Sequence, residues 1–233
     1  MLPSPHSTRT FGDGAALATA LAAAVRTSIE SGLAAAGRAT IAVSGGRTPA
    51  AFLRALFAQE LPWQDVQVTL ADDRCVPHGH ERSNVRLLEA ARSGLPGAAA
   101  PLIALTDPGS GAPLLDAAVP HRLDALVLGM GTDGHTASLF PDGDALDAAL
   151  APDAPRLVTM RAPGAPEPRI TLSLPVLLSA KSVFLHIEGA AKHVALRAAL
   201  GTGPVPAMPV RALLHQETRP ITLFTAPPPG ISP

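Results

Sequence analysis

The sequence predicts an α/β fold: a mostly parallel, Rossmann-like sheet with helices on both faces, in a single domain over residues 1–233. Three observations predict it. Short apolar runs alternate with stretches of helical periodicity, the pattern of strands joined by crossover helices. Several of these runs lead straight into polar, glycine-rich turns, as at Ser44, Asp72, Gly129 and Glu188. The composition is 47% hydrophobic, much of it alanine, with only 3% aromatic and 16% charged residues, which suits many packed helices around a sizeable core.

Met1 to Asp13 reads as a loose lead-in. Gly14 to Ala36 is a helix, with Leu17, Leu21, Val25 and Ile29 spaced four apart and Gly37 as its stop. Its Ala15–Val25 segment resembles the apolar core of a signal peptide. Asp13 precedes it, no basic cluster opens the chain, and the alanine pattern continues past Arg26, so an ordinary first helix is expected. No apolar run reaches the roughly 20 residues that span a bilayer. Thr40 to Val43 is the first buried strand; Thr48 then caps a helix with Pro49 at its first position, continuing through Phe52, Leu53, Leu56 and Phe57.

Val66 to Ala71 is the next strand, and Ser83 caps a helix from Asn84 to about Ser93. Gly94 to Pro120 is a surface excursion with a short strand at Leu102 to Leu105. Ala125 to Leu128 is a continuous apolar run, as in a strand buried on both faces. Asp142 to Leu150 has a helical pattern, Leu157 to Met160 is a strand, and Ala162 to Pro168 is a loop. Arg169 to Pro175 is extended and turns into a short helix. Val183 to Ile187 is a strand, Ala190 to Leu200 a helix, and Ile221 to Phe224 a last strand before a proline-rich tail.

The formal charge of -1 gives no electrostatic case for nucleic acid or an acidic membrane. One cysteine, Cys75, excludes an internal disulfide and fits a reducing, cytoplasmic setting; it reads as a small apolar residue in a packed segment.

The chemistry concentrates after Leu128. Gly129-Met-Gly-Thr-Asp-Gly134 lets the backbone turn sharply and approach a ligand, and Asp133 and His135 place an acid and a base on a loop leaving a buried strand. This is the expected active-site loop. The same letters spell a dinucleotide fingerprint, Gly129-x-Gly131-x-x-Gly134. Asp133 puts negative charge where a pyrophosphate would sit and Pro141 interrupts the helix early, so a nicotinamide or flavin site is not expected.

Ser44-Gly45-Gly46-Arg47-Thr48 is the second informative turn. Glycines before a helix N-terminus leave backbone N–H groups for an anion, and Arg47 adds charge; a plain strand-to-helix turn explains the segment equally well. It lacks the Lys-Ser/Thr ending of a nucleotide phosphate loop. Asp72-Asp73-Arg74 can orient a hydroxylated ligand while Arg74 clamps an anion, or be a surface charge cluster. His78 and His80 lack a clear third partner and read as loop residues, so no metal is expected. His6, His121, His186, His193 and His215 read as ordinary histidines. In a parallel sheet the ends at 44–48, 72–74, 133–135 and 188–192 lie on one edge and can converge. Their inventory suits a small phosphorylated substrate and proton-transfer or hydrolytic chemistry.

Four motifs together resemble the glucosamine-6-phosphate isomerase/6-phosphogluconolactonase family. They are Ser44-Gly-Gly-x-Thr-Pro49; Asp72-Asp-Arg-x-Val-Pro77 with Ser83-Asn84; Gly129-Met-Gly-x-Asp-Gly-His-Thr-Ala-Ser-Leu-Phe-Pro141; and Arg169-Ile-Thr-Leu-Ser-Leu-Pro175 with Gly189-x-x-Lys192. After His135 the deaminase branch typically reads Ile-Ala-Phe-Asn-Glu-Pro; here Thr-Ala-Ser-Leu-Phe-Pro is the lactonase form. The chain departs from the family at Asp73, where glutamate is usual, and at Arg47, where serine is common.

The resemblance implies hydrolysis of 6-phospho-D-glucono-1,5-lactone to 6-phosphogluconate in the pentose phosphate pathway, with no metal or organic cofactor, by a monomer or small homo-oligomer. It implies His135 as the base that activates water, and Arg74 and Lys192 as phosphate ligands supported by Ser44, Gly45, Gly46, Arg47 and Thr48, with Asp72, Gly131 and Arg169 also at the site. Asp133 is expected either to hold the imidazole or to cap the loop, and glycine-loop N–H groups to meet the oxyanion. Two rivals share these residues: an isomerase or deaminase with Asp72 shuttling protons, and a non-catalytic sugar-phosphate sensor.

Overall fold

The structure, a computed structural model, describes residues 6–46, 48–115, 119 and 122–227. Arg47, His121, the first five residues of the lead-in and the tail from 228 onward lie outside them.

Seven strands form the main sheet: β1 (Ser7–Thr10), β2 (Ala39–Val43), β3 (Val66–Leu70), β5 (Leu102–Ile103), β6 (Ala125–Leu128), β9 (Ser182–Glu188) and β10 (Ile221–Ala226). Their order is β1-β10-β9-β6-β2-β3-β5, and every neighbouring pair is parallel. From β2 the chain steps outward to β3 and β5, whereas from β6 it steps the other way to β9 and β10. Right-handed crossovers in opposite directions put their helices on opposite faces and open a crevice at the reversal, between β2 and β6.

Helix α1 (Gly14–Ala36) has the expected bounds. Asp13 accepts the Ala16 N–H at 2.8 Å, and Gly37, at φ 67, closes the far end with its N–H on the Leu33 carbonyl. Its stripe Leu17, Leu21, Val25 and Ile29 is fully buried, and α1 packs beside α2 (Ala50–Phe57). Helices α3 (Asn84–Arg92) and α6 (Ala190–Leu200) also stand where the periodicity puts them, with the Ser83 hydroxyl accepting the Arg86 N–H. No helix among the described residues is long and apolar enough to cross a membrane.

Several expectations are corrected. The lead-in contains β1, paired in parallel with β10. All four of its residues are exposed, so it is held by backbone pairing and leaves no apolar pattern to read. The 157–160 strand is not in the main sheet: β7 (Leu157–Ala162) pairs antiparallel with β8 (Ala165–Leu172), and β8 with β4 (Asp72–Arg74). The expected 162–168 loop shrinks to a tight turn. Pro166 and Pro168 fit in β8 because the register shifts between Met160 and Ala162, where missing N–H groups cost no ladder bond. The helix expected from Asp142 is only α4 (Leu146–Leu150), since Asp142 adopts φ 55. Thr48 does not cap α2; the helix starts after Pro49 with no side-chain cap.

Candidate active site

Strand β6 carries the chain from the core to Gly129, beside the end of β2, at the reversal in strand order. The loop that follows is built around Gly131. Its N–H donates to the His135 carbonyl at 2.8 Å, and a Cβ there would overlap both the His135 ring and the Asp133 carboxylate. Gly134 turns the chain at φ 83, and its carbonyl accepts the Val210 N–H at 2.9 Å, which ties the loop to the segment before α7 (Arg211–Leu214).

Asp133 makes both of the contacts that the two expected roles require. Its Oδ1 accepts from the His135 backbone N–H at 3.1 Å and lies 2.6 Å from His135 Nδ1. Burial works to raise the Asp133 carboxyl, but the hydrogen bonds and charge of His135 outweigh it and hold it below its ordinary range. A carboxylate against Nδ1 favours the tautomer with its proton on that nitrogen, which makes Nε2 the acceptor. The ring also packs on Phe140, centroid to centroid 4.4 Å.

A cavity of about 310 Å³ opens beside this histidine, within the range of small-molecule sites. All four strand ends reach it. From β2 come Ser44, Gly45, Gly46 and Thr48; from β4, Asp72 and Arg74; from the β6 loop, Gly131 and His135; from α6, Lys192. Arg169 enters from β8. Asp133 stands behind His135, and Glu188 behind His186, outside the lining.

The glycine turn and the acidic strand end fit into one another. A Cβ on Gly45 would overlap the Asn84 side chain, whose Nδ2 donates to the Asp72 carbonyl at 3.0 Å. Asp73 does not face the cavity. It is fully buried and its Oδ1 accepts the N–H groups of Arg74 and Asn84 at 2.7 and 2.8 Å, fastening β4 to the start of α3. Asp72 Oδ2 accepts the Ser138 hydroxyl at 2.6 Å.

The cations form two walls. Lys192 Nζ, in the first turn of α6, donates to Thr48 Oγ1 at 3.1 Å, so the starts of α2 and α6 meet there. Burial pulls the Lys192 ammonium below its ordinary range, with Glu188 opposing. On the other side Arg74 and Arg169 are register partners across β4 and β8. Burial lowers Arg169 as well, Asp72 opposes, and Arg74 adds to the lowering. Both guanidiniums have a buried Nε without a partner among the described residues. Two like charges held side by side with unsatisfied N–H groups suit an anionic or polar ligand.

Three polar or aromatic residues of the cavity had no role in the sequence reading. Asn84 stood in a motif without a function, Phe140 was only a motif letter, and His186 read as ordinary; all three line the cavity. Gly131 lines the cavity, and its N–H donates to the His135 carbonyl, so its backbone shapes the loop. Cys75 is half-buried, and burial pushes its thiol up, away from nucleophilic use.

The family model described as glucosamine-6-phosphate isomerases/6-phosphogluconolactonase matches residues 12–222. A 6-phosphogluconolactonase of Rhizobium meliloti (strain 1021) is 43% identical, covering 93% of this chain and 97% of the relative. One of Pseudomonas aeruginosa is 41% identical, covering 97% of each. The crystal structure of a 6-phosphogluconolactonase from Shewanella baltica OS155 matches at TM-score 0.90 and 32% identity, over 97% of this chain and 100% of that one. Matched along nearly its whole length in sequence and in structure, the chain belongs to the glucosamine-6-phosphate isomerase/6-phosphogluconolactonase family.

Proposed function

We propose that this protein hydrolyses 6-phospho-D-glucono-1,5-lactone to 6-phosphogluconate, as in the oxidative pentose phosphate pathway, with His135 as general base. The observation that carries the reading is the His135–Asp133 pair, closed at 2.6 Å, opening onto a cavity walled by Lys192, Arg74 and Arg169. That combination offers a base with a fixed tautomer beside cations for a phosphorylated substrate.

The phosphate belongs at the Lys192 wall. There the starts of α2 and α6 converge, the helix dipoles favour an anion, and Gly45 and Gly46 let the backbone come close. Arg74, with Arg169 beside it, supplies further positive charge to the same dianion or to the sugar oxygens. His135 Nε2 takes a proton from water as the water oxygen bonds to the lactone carbonyl carbon. The ring oxygen then leaves with its bonding electrons and receives that proton from the imidazolium, giving the open-chain acid. Asp133 holds the imidazolium throughout.

The test is pH-stat acid release from freshly prepared 6-phosphogluconolactone, corrected for spontaneous hydrolysis. Wild type is expected to accelerate it strongly, and folded His135→Ala to lose at least about 100-fold in kcat. Wild type no faster than buffer sinks the function; full activity in the variant sinks the mechanism.

A further inference from the structure

One titratable pair at the phosphate wall has no part in this mechanism. Strand β9 alternates, so Phe184, His186 and Glu188 share a face. His186 is 2% exposed, borders the cavity, and sets its ring edge-on to Phe52 of α2. Its Nε2 lies 2.5 Å from Glu188 Oε1, and its Nδ1 is buried without a partner among the described residues. The other Glu188 oxygen packs on Gly14 at the start of α1, where any side chain would overlap it.

Glu188 also acts on Lys192, four residues on. The hydrogen bond from His186 leads in holding the Glu188 carboxyl below its ordinary range; burial opposes this, and the charges of His186 and Lys192 add to it. In return Glu188 resists the burial that lowers the Lys192 pKa. Beside a phosphate dianion, however, an uncompensated carboxylate is repulsive and cancels the lysine's attraction. The groups around the pair are Lys192 from α6, Phe52 from α2, Gly14 from α1 and Phe224 from β10, with Arg9 of β1 over the Phe224 ring. His186 is the group in hydrogen-bond contact with the carboxylate that can offset it.

We propose that His186 and Glu188 form a positioning pair for the phosphate end: His186 offsets the Glu188 carboxylate, so that Lys192 presents its full charge to the phosphate. This rests on the reading that the substrate is phosphorylated.

The experiment compares wild type, His186→Gln, Glu188→Gln and the double variant. It measures kcat/KM on 6-phosphogluconolactone and on unphosphorylated D-glucono-1,5-lactone, and inorganic phosphate affinity by titration calorimetry. In His186→Gln the preference for the phosphorylated lactone falls about tenfold, mainly through KM, and phosphate Kd rises by a similar factor. Glu188→Gln added to it restores most of the loss, a coupling that a merely structural histidine does not produce. Glu188→Gln alone binds phosphate at least as tightly as wild type, which keeps the test open if His186→Gln fails to fold. The proposal is overturned if His186→Gln keeps its phosphate Kd within twofold, if the double variant is no better than the single, or if Glu188→Gln alone weakens phosphate binding tenfold. A wild type that binds phosphate but hydrolyses neither lactone removes the proposed function and leaves the phosphate titrations to judge the pair.

Discussion

Lys192 Nζ donates to Thr48 Oγ1 at 3.1 Å, joining the first turn of α6 to the turn before α2 across residues 144 apart in sequence. This bond aims the ammonium at the meeting point of two helix starts. Because burial lowers its pKa from the ordinary 10.5, Lys192 loses its proton at a lower pH than a solvated lysine. Phosphate affinity is therefore expected to weaken on the alkaline side from below pH 10.5. Lys192→Arg should remove that alkaline limb, and Lys192→Met should weaken binding about tenfold or more at neutral pH. Calorimetric phosphate titrations from pH 7 to pH 10 read both effects; an alkaline limb that persists unchanged in Lys192→Arg assigns it to another group.

Asp133 touches His135 through one oxygen, which accepts from both the ring and the backbone. Asp133→Asn keeps an acceptor of the same size but removes the charge that steadies an imidazolium, and its amide can turn to select the other tautomer. The expected result is a fall in kcat of about 100-fold or more, with KM changed little. Steady-state kinetics with circular dichroism to confirm folding decides it; kcat within threefold of wild type would reduce Asp133 to a loop cap.

Gly131 is the tightest point of the loop. Gly131→Ala places a methyl where the His135 ring and the Asp133 carboxylate lie, so the pair must move apart or the loop must shift. Neither side chain belongs to the core, so the expected cost falls on catalysis, at least about 100-fold in kcat, while the melting temperature drops only a few degrees. A variant that melts like wild type and works at its rate would show that the loop relaxes freely.

What the sequence carried about this fold depended on how local the cause was. Helix α1 is set by its own periodicity, Asp13 and Gly37, and β6 by its own apolar run; the bounds of α1 and β6 were legible for that reason. Strand β1 depends on the backbone edge of β10, and the β7–β8 hairpin on a register shift that admits two prolines, neither of which a local pattern records. The site divides in the same way. The strand-end turns announced themselves by glycine and charge. Asn84 and His186 reach the cavity only because the chain's crossovers bring α3 against β4 and β9 beside β6. One sequence signal for His186 existed: Glu188 two residues on, hence on the same strand face.

Asp73 holds the acidic strand end from behind, and its surroundings make its role measurable. Its side chain is fully buried, with Oδ1 holding the N–H groups of Arg74 and Asn84 and Oδ2 facing Thr106 Oγ1 at 3.5 Å. Burial raises its pKa above the ordinary 3.8; the two N–H bonds oppose it, and neighbouring Asp72 adds to the rise. A carboxyl that binds its proton more tightly when folded stabilises the fold at low pH, and this contribution is lost as pH rises from about 3.8 through the raised value. Asp73→Asn keeps an acceptor for both N–H groups and does not titrate. Its stability relative to wild type should therefore improve from pH 4 to pH 7. Asp73→Ala strands two buried donors and should cost about 2–4 kcal/mol. Urea unfolding of the three proteins at both pH values tests this, and a gap between wild type and Asp73→Asn that is the same at pH 4 and pH 7 would mean that Asp73 does not titrate differently on folding.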